Sequence, residues 1–307
     1  ESLHAVIPLD YAQTLKLLYA LAPRLNSAFV SLFLPHYVAS YGQADFKRSM
    51  AALKYFTTFG SAEFAIRHFL LNDFARTLAV MQAWSLDDNE HVRRLASEGS
   101  RPRLPWSFRL AEVQANPELC ASILNNLKAD SSLYVRKSVA NHLNDITKDH
   151  PDWVLDLIEG WNLDNPHTAW IARHALRSLI KQGNTRALTI MGAGAKADVK
   201  IQHLSVTPAV ITLGERITLS FSLESTAATA QKLVVDYAID YVKSAGHSAA
   251  KVFKLKAFTL GAGEQQRISR EQHIRELTTR KHYPGKHTVH VMVNGERLGS
   301  ADFVLRD

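Results

Sequence analysis

The sequence has 307 residues, and its 46% hydrophobic content is enough to build the cores of two domains. A formal net charge of +7 and a pI near 9.4 indicate an anionic partner, although a basic composition alone is a weak signal. The single cysteine, Cys120, excludes an intrachain disulfide and a cysteine-clustered zinc site, and the lack of a long apolar run or signal peptide argues against a membrane partner. We therefore expect a cytoplasmic protein.

In residues 11–182 the apolar residues recur at helical spacing, so the sequence predicts only helices there. Early in this region, Ser61 is the expected N-cap of a helix that carries Glu63 and Arg67. The chain begins at Glu1, without methionine and directly in sequence of helical character, so we expect that a leading segment precedes it.

Three later segments share one layout: HVRRLASEG, YVRKSVANHLNDI and WIARHALRSLI each follow a short polar cap sequence. Superposing Val92, Val135 and Ile171 brings a cation to the same position in each segment, at spacings of 43 and 36 residues: Arg94, Lys137 and Arg173. These spacings are typical of the helix pairs in HEAT-like repeats. Because the inner helices of stacked pairs line a concave surface, the sequence predicts a cationic stripe along it.

This stripe is the predicted binding site for the phosphate backbone of a nucleic acid. A single Arg–Glu pair four residues apart on a helix is ordinarily a solvated salt bridge, whereas three cations in register argue for a ligand. Trp106 follows two prolines and a basic cluster, so it is the tryptophan that we expect near that ligand. The nucleic-acid-binding residues expected in the helical region are Arg93, Arg94, Arg101, Arg103, Trp106, Arg136, Lys137, Asn141, Arg173, Arg177 and Lys181.

Beyond residue 182 the hydrophobic pattern changes from helical spacing to alternation. Short strands are expected from Val199 onward, separated by glycine and proline turns and by Asn294-Gly295. The predicted organisation is a helical domain over 1–190, a linker over 191–198 and an immunoglobulin-like β-sandwich over 199–307. Two sandwich loops could contact nucleic acid or merely connect strands, and their candidate residues are Lys243, Arg280, Lys281 and Tyr283.

Carboxylates within the cationic region are the second unusual feature. A groove that binds polyanion only for affinity gains nothing from Glu98, because a carboxylate repels phosphate. Glu98, with Glu63 on the preceding inner helix, is suited to stabilising positive charge or activating water, as in glycosyl-bond cleavage. The alternative is that Glu98 only orients Arg94 or Arg101. Asp145 is a weaker catalytic candidate, because it could serve local capping.

The sequence contains no phosphate-binding glycine loop, nucleophile elbow or metal-spaced histidine pair. His142 and His174 lie beside core positions, so we expect them to be buried. His287 and His290 fall on opposite faces of a strand, which is poor geometry for sharing a metal. We therefore expect neither a metal nor a cofactor.

Several segments in combination resemble the AlkC branch of the DNA alkylation repair glycosylases. They are AEFAIR, HVRRLASEGSRPRLPW, LYVRKSVANHLNDI and RHALRSLIKQG, followed by VVDYAIDYVKSAG, KVFKLK and TTRKHYPGKH. The resemblance implies HEAT-like repeats followed by an immunoglobulin-like domain. It also implies a monofunctional glycosylase, a bacterial monomer, that excises cationic N-alkylated bases such as 3-methyladenine and 3-methylcytosine from duplex DNA without full base flipping.

The related AlkD branch surrounds the lesion deoxyribose with tryptophans and an aspartate. Here Asn141 stands where one of those tryptophans aligns and no matching aspartate is found, so Glu63 and Glu98 look like this branch's substitutes. Two functions of other classes remain open. One is a non-catalytic nucleic-acid binder that uses the same basic stripe, and the other is a protein-interaction scaffold that uses the extended surface of a solenoid.

Overall fold

The computed structural model describes residue 7 and residues 9–193, 196–244, 246–276 and 281–306. The chain divides into two compact units, the first ending at Leu176 and the second beginning at Arg177. The two short helices between residues 177 and 190 thus belong to the second unit, whereas the hydrophobic pattern places them with the helical domain. Within the described ranges, no helix has the length and apolar character needed to cross a membrane.

The first unit contains helices and, among its described residues, no strand. Its α-helices are α1 (Tyr11–Leu21), α2 (Phe33–Tyr41), α3 (Phe46–Phe56), α4 (Glu63–Asn72), α5 (Phe74–Trp84), α6 (Glu90–Gly99), α7 (Ala111–Ala115), α8 (Ala121–Leu127), α9 (Leu133–Ile146), α10 (Pro151–Glu159) and α11 (Pro166–Ala175). Three short 3-10 helices lie between them, over Ala22–Arg24, Val30–Leu32 and Pro117–Cys120.

One layer of this unit consists of helices that pack in chain order, α2 on α4, α4 on α6, α6 on α9 and α9 on α11. A second layer, formed by α3, α5, α8 and α10, packs against them. The arrangement confirms the predicted helical repeat. It also makes α4, α6 and α9 direct neighbours, so side chains from all three can meet.

The register inferred from the three repeat segments is correct. Val92, Val135 and Ile171 are all buried, at 1%, 0% and 0% exposure. Two of the three cap sequences do cap their helices, because the side chains of Asn89 and Asn165 accept hydrogen bonds from backbone N–H groups in the first turns of α6 and α11, whereas Ser132, before α9, makes no side-chain cap. Equivalent residues of the repeats therefore occupy equivalent places.

The N-cap expected at Ser61 is wrong. Helix α4 begins at Glu63, Ala62 occupies the N-cap position, and no side chain caps the helix. The hydroxyl of Ser61 instead accepts a hydrogen bond from Arg94 Nη1 at 2.6 Å. This serine therefore serves a contact between α4 and α6, which local sequence cannot reveal.

The second unit combines two short helices, α12 (Arg177–Lys181) and α13 (Thr185–Ile190), with two β-sheets. Its strands are β1 (Val199–Thr207), β2 (Val210–Thr212), β3 (Arg216–Ser225), β4 (Gln231–Val242), β5 (Ser248–Leu260), β6 (Gln265–His273), β7 (Gly285–Val293) and β8 (Glu296–Arg306). One sheet has the order β1-β3-β6 and the other the order β2-β8-β7-β4-β5. Neighbouring strands are antiparallel except β2 and β8, which are parallel.

Both sheets contribute to one buried core, with Phe221 from the smaller sheet and Tyr237 and Phe303 from the larger. This confirms the predicted sandwich. The turn between β7 and β8 is the predicted Asn294-Gly295 pair, with positive φ angles of 47° and 82° that suit these two residues.

Candidate active site

Five charged side chains from three neighbouring helices and one loop meet in the first unit. Glu63 comes from the start of α4, Arg94 and Glu98 come from α6, Arg101 follows α6, and Asp145 comes from the end of α9. We call these five residues the ion-pair cluster. The cluster unites all three carboxylates that the sequence predicts to be catalytic.

The two arginines link the three carboxylates in a chain. Arg94 Nη1 lies 2.9 Å from Glu63 Oε2, and Arg94 Nη2 lies 3.6 Å from Glu98 Oε1. Arg101 Nη1 lies 2.6 Å from the same Glu98 oxygen, and Arg101 donates from Nη2 and Nε to Asp145 Oδ2 at 2.7 and 2.9 Å. Each guanidinium therefore bridges two carboxylates.

The ion-pair cluster is largely removed from solvent. Its side chains are between 7% exposed, at Asp145, and 13% exposed, at Arg94. Burial alone would lower the pKa of Arg94, but the carboxylates of Glu63 and Glu98 raise that pKa above its ordinary value. The Arg94–Glu98 pair is thus not the solvated surface pair that its i,i+4 spacing ordinarily indicates.

The remaining oxygens of the carboxylates differ in their partners. Ser138 on α9 donates to Glu98 Oε2 at 2.6 Å, and Lys148 Nζ lies 3.1 Å from Asp145 Oδ1. No partner is found for Glu63 Oε1 in the described part of the chain. Three carboxylates against two guanidiniums give the cluster a formal charge of −1 when all are ionised. Glu63 Oε1 is therefore the one carboxylate oxygen of the cluster without a partner among the described residues.

Arg67 on α4 has a structural role that the sequence does not reveal. Its side chain is completely buried. Nη1 donates to the carbonyls of Gly99 and Arg101 at 3.1 and 2.7 Å, and Nη2 donates to the carbonyl of Phe108. Burial, with a contribution from nearby Arg101, lowers the pKa of Arg67 to about 10, while Asp145 opposes the shift. Arg67 fixes the backbone that presents Arg101.

Two arginines that the sequence predicts to bind nucleic acid instead hold the N-terminal ends of their own helices. Arg93 donates to the carbonyls of Asp87 and Asp88 and pairs with Asp130 at 2.7 Å. Arg136, its equivalent in the next repeat, donates to the carbonyls of Asp130 and Ser131. The repeated Val-Arg dipeptide therefore ties each helix to the loop before it. The recurrence of these two arginines has this structural explanation without any ligand.

Other expected contact residues have partners within the first unit or belong to the second unit. Arg103 forms a bidentate pair with Asp149, with contacts from 2.6 to 3.1 Å. Arg94 and Arg101 belong to the ion-pair cluster, so the predicted stripe is interrupted there. Arg177 and Lys181 are exposed on α12, in the second unit.

Lys137 on α9 and Arg173 on α11 are exposed at the positions that the register predicts, and we find no ion pair for them among the described residues. Asn141 is half-buried on α9. Trp106 is 98% exposed. In the second unit, Lys281 is exposed and Lys243 and Tyr283 are half-buried, whereas Arg280 lies outside the described residues.

Of the two histidines expected to be buried, His142 is buried, whereas the expectation for His174 is wrong, because that side chain is only half-buried. His142 is fully buried, and burial, with the positive charge of Arg101, lowers its pKa to about 3. His174 stacks on Trp170 at 3.7 Å between ring centroids, and His290 contacts Asp240 at 2.9 Å. Among the described residues, no group of three or more His, Cys, Asp or Glu side chains is placed to hold a metal ion.

Comparison with known proteins matches both parts of the chain. A family model described as a DNA alkylation repair enzyme matches residues 33–179, and a model described as the C-terminal Ig-like domain of the uncharacterised protein YhaZ matches residues 200–307. The protein YhaZ of Bacillus subtilis (strain 168) is 43% identical over 302 residues, which cover 98% of this chain and 84% of that protein.

A solved structure is also closely similar. It is the Pseudomonas fluorescens alkylpurine DNA glycosylase AlkC bound to DNA containing an abasic site analog. That structure is 88% identical in sequence and superposes with a TM-score of 0.97, covering 100% of this chain and 85% of the other.

Proposed function

The chain belongs to the AlkC branch of the DNA alkylation repair glycosylases, and on that premise we propose that it hydrolyses the N-glycosidic bond of cationic N-alkylated bases in duplex DNA. The observation that carries the proposal is the ion-pair cluster, in which two arginines hold three carboxylates and Glu63 keeps one oxygen without a partner among the described residues.

The chemistry needs electrostatic help at the sugar. A base alkylated at a ring nitrogen already carries positive charge, which weakens the glycosidic bond between C1′ and another nitrogen of the base, so the base departs neutral with the bonding electrons. The positive charge then develops on the deoxyribose, as in other glycosyl transfers. Carboxylates in a buried site stabilise such a cation more strongly than they would in water. Protonation of the leaving base is not required.

Glu63 and Glu98 have complementary positions for this role. Arg94, Arg101 and Ser138 hold Glu98, so its negative charge stays in a fixed place when the sugar cation forms. The open Oε1 of Glu63 is free to accept a hydrogen bond from the attacking water and to take its proton as the new C1′–O bond forms. The products are a free base and an abasic site.

Asp145 supports this arrangement from the other side of Arg101. Both of its oxygens contact cations, Arg101 at Oδ2 and Lys148 at Oδ1. We therefore assign it a smaller catalytic effect, through the position of Arg101. The sequence also made Asp145 a weaker catalytic candidate than Glu63 and Glu98.

The phosphate backbone needs exposed cations, and Lys137 and Arg173 are the ones in register on α9 and α11. Trp106 and the loop residues Lys243, Lys281 and Tyr283 stay predictions as further DNA contacts. We propose that 3-methyladenine and 3-methylcytosine are the lesions and that the protein acts as a cytoplasmic monomer.

A single-turnover assay tests the function. Excess protein is incubated with a synthetic duplex that carries one N-alkylated base, and abasic sites are detected by alkaline strand cleavage. We expect release by the wild type and a loss of about 10²–10³ in rate for Glu63→Gln. Glu112→Gln on α7, an exposed position, is the matched control.

Other outcomes would identify the alternative functions. Salt-sensitive binding to DNA without base release from any alkylated duplex would make the protein a non-catalytic binder. If no DNA binding is detected at low salt, the remaining alternative is that the protein is a protein-interaction scaffold.

A further inference from the structure

A side chain with an aromatic ring recurs at one position of the repeat register. The residues that directly precede the three aligned apolar positions are His91, Tyr134 and Trp170. The Tyr134 ring packs edge-on against His91, with 5.6 Å between the ring centroids. The Trp170 ring lies 5.8 Å from the guanidinium carbon of Arg136. Each of the two later rings therefore packs against a side chain of the preceding repeat, and this packing explains why a ring recurs.

Tyr134 differs from the other two because it also contacts a cation of the ion-pair cluster. The guanidinium carbon of Arg94 lies over the Tyr134 ring, 5.1 Å from its centroid, which is within the range of a cation–π contact. Tyr134 is 39% exposed, whereas the Arg94 side chain is 13% exposed. The ring therefore belongs to the boundary between the ion-pair cluster and solvent.

The phenol of Tyr134 is unsuited to acid–base catalysis. Burial raises its pKa above the ordinary value, and Arg94 opposes that shift only in part. The phenol therefore keeps its proton at neutral pH. Among the described residues, we find no hydrogen bond from its hydroxyl to a carboxylate of the ion-pair cluster. What Tyr134 contributes to the cluster is thus the face of its ring.

The ring supplies a constraint on Arg94 that its hydrogen-bond acceptors do not. Arg94 Nη1 donates to Ser61 and Glu63 at 2.6 and 2.9 Å. Arg94 Nη2 lies 3.6 Å from Glu98 Oε1, which is longer than a hydrogen bond. A guanidinium donates only within its own plane, so these contacts hold it at its nitrogen atoms. The Tyr134 ring contacts it from the solvent side instead, and so limits movement in that direction.

We propose that Tyr134 is a positioning residue for base excision, whose ring holds the Arg94 guanidinium in the place from which it bridges Glu63 and Glu98. The inference rests on the proposed function, because it adds a residue to the same site. Electrostatic stabilisation of a developing cation depends on groups that are already in place when the charge forms. Carboxylates that move with a loosened guanidinium would have to be reorganised first, so the ring contributes to the rate and not to DNA affinity.

A comparison of two substitutions tests the role of the ring. Tyr134→Leu removes the aromatic face, and we expect the single-turnover excision rate at saturating protein to fall by about tenfold, the equivalent of one desolvated cation–π contact. Tyr134→Phe keeps the face and loses only the hydroxyl, so its rate should stay within about threefold of the wild type. The Kd for the lesion duplex should change by less than about threefold in both variants, because the ring acts on the reaction and not on binding.

The equivalent ring of the next repeat provides the matched control. Trp170→Leu removes the contact with Arg136, which lies outside the ion-pair cluster, so the excision rate should not change. A wild-type rate in Tyr134→Leu would overturn the proposal. Equal losses in Tyr134→Phe and Tyr134→Leu would overturn it too, because the hydroxyl and not the ring would then act. A loss in Tyr134→Leu that appears equally in the rate and in Kd would instead make Tyr134 a DNA contact.

Hydrogen exchange at the Arg94 side chain tests its placement without any substrate. The Nε–H signal of Arg94 in isotopically labelled protein is identified in NMR spectra by its loss in Arg94→Lys. We expect Tyr134→Leu to speed the exchange of this proton with water by about tenfold, and Tyr134→Phe to leave it within about threefold of the wild type.

The exchange measurement separates this inference from the proposed function. Exchange at the wild-type rate in Tyr134→Leu would overturn the inference even where excision is observed. Tyr134→Gln also lacks the ring and takes the place of Tyr134→Leu if the leucine variant does not fold. If the wild type excises no alkylated base, the proposed function is wrong, and the exchange rates still decide whether Tyr134 holds Arg94.

Discussion

The helical unit contains two groups of cationic side chains, one buried and one exposed, in sequence segments of similar pattern. Arg94 and Arg101 are buried among carboxylates, and Arg67 is buried among carbonyls, whereas Lys137 and Arg173 are exposed on α9 and α11. The repeat register aligns Arg94 with Lys137 and Arg173 and so predicts a single role for all three. The structure separates them by burial.

The difference shows how the same charge can serve two purposes. A buried guanidinium interacts strongly over short distances with fixed partners, so it determines where other charged groups stand. An exposed cation is screened by salt within about 10 Å and keeps its charge available for a polyanion. Burial, and not repeat position, therefore distinguishes cations that arrange the site from those suited to bind DNA.

The largest expected effect is on folding, at Arg67. Arg67→Met keeps much of the side-chain volume but leaves three carbonyls without their donor. Each buried group left unsatisfied costs about 1–3 kcal/mol, so we expect a loss of several kcal/mol in the free energy of unfolding. Urea denaturation followed by circular dichroism measures this change. A stability within 1 kcal/mol of the wild type, about one such group, would mean that water or rearranged backbone replaces Arg67.

The next effect is on catalysis, at Glu98. Glu98→Gln keeps the shape of the side chain and can still accept from Ser138, but it removes the charge that faces the sugar cation. We expect a loss of about 10²–10³ in single-turnover excision with little change in DNA affinity, and a similar or milder loss for Glu63→Gln. Asp145→Asn should have a smaller effect than either. Equal losses of binding and rate for Glu98→Gln would show that Glu98 serves only to orient Arg94 and Arg101.

Much of the fold follows from periodicity in the sequence. Helical spacing and the positions of Val92, Val135 and Ile171 predict the packed layer of α6, α9 and α11, since apolar residues at these positions must face the core. Alternation predicts most strands of the sandwich. Strand β6 does not show this alternation, because its sequence is polar and it lies at the edge of its sheet. Ile268 is its single buried residue.

Only part of the candidate site can be predicted from the sequence. Carboxylates in a cationic segment indicate Glu63, Glu98 and Asp145, and the helix register brings their elements together. Nothing local shows that Ser61 and Ser138 bind charged groups of other helices, or that Arg67 binds three carbonyls. These contacts join residues 30 or more positions apart, so they depend on tertiary packing that no repeat or motif encodes.

The exposed cations give a smaller, additive effect on DNA binding. Lys137→Glu and Arg173→Glu should each weaken binding by about tenfold to damaged and undamaged duplex alike, and each should reduce the dependence of log Kd on log salt by about one unit. Fluorescence anisotropy at several salt concentrations measures both quantities. Lys16→Glu, an exposed charge reversal on α1, controls for the change in net charge. Wild-type salt dependence in both variants would remove α9 and α11 from the DNA-binding surface.

A separate effect concerns the pH dependence of stability, through the buried side chain of His142. Burial, with the positive charge of Arg101, lowers the pKa of His142 to about 3, whereas the unfolded chain should bind a proton near pH 6.5. Between these values the unfolded state binds more protons, so His142 destabilises the fold progressively as the pH falls from about 6.5 toward 3. From pH 7 to pH 5 the loss should be about 2 kcal/mol.

This pH effect is isolated by a difference between two proteins. His142→Phe removes the titrating group, so its free energy of unfolding should fall less between pH 7 and pH 5 than that of the wild type. Lowered carboxyl pKa values elsewhere, as at Asp149 beside Arg103, act in the same direction in both proteins and cancel. Arg173→Glu provides the exposed counterpart, and its pH dependence should match the wild type, because a solvated side chain changes little between the folded and unfolded states. Identical slopes for His142→Phe and the wild type would show that His142 binds its proton equally well in the folded protein, and that the interior around Arg101 is open to water.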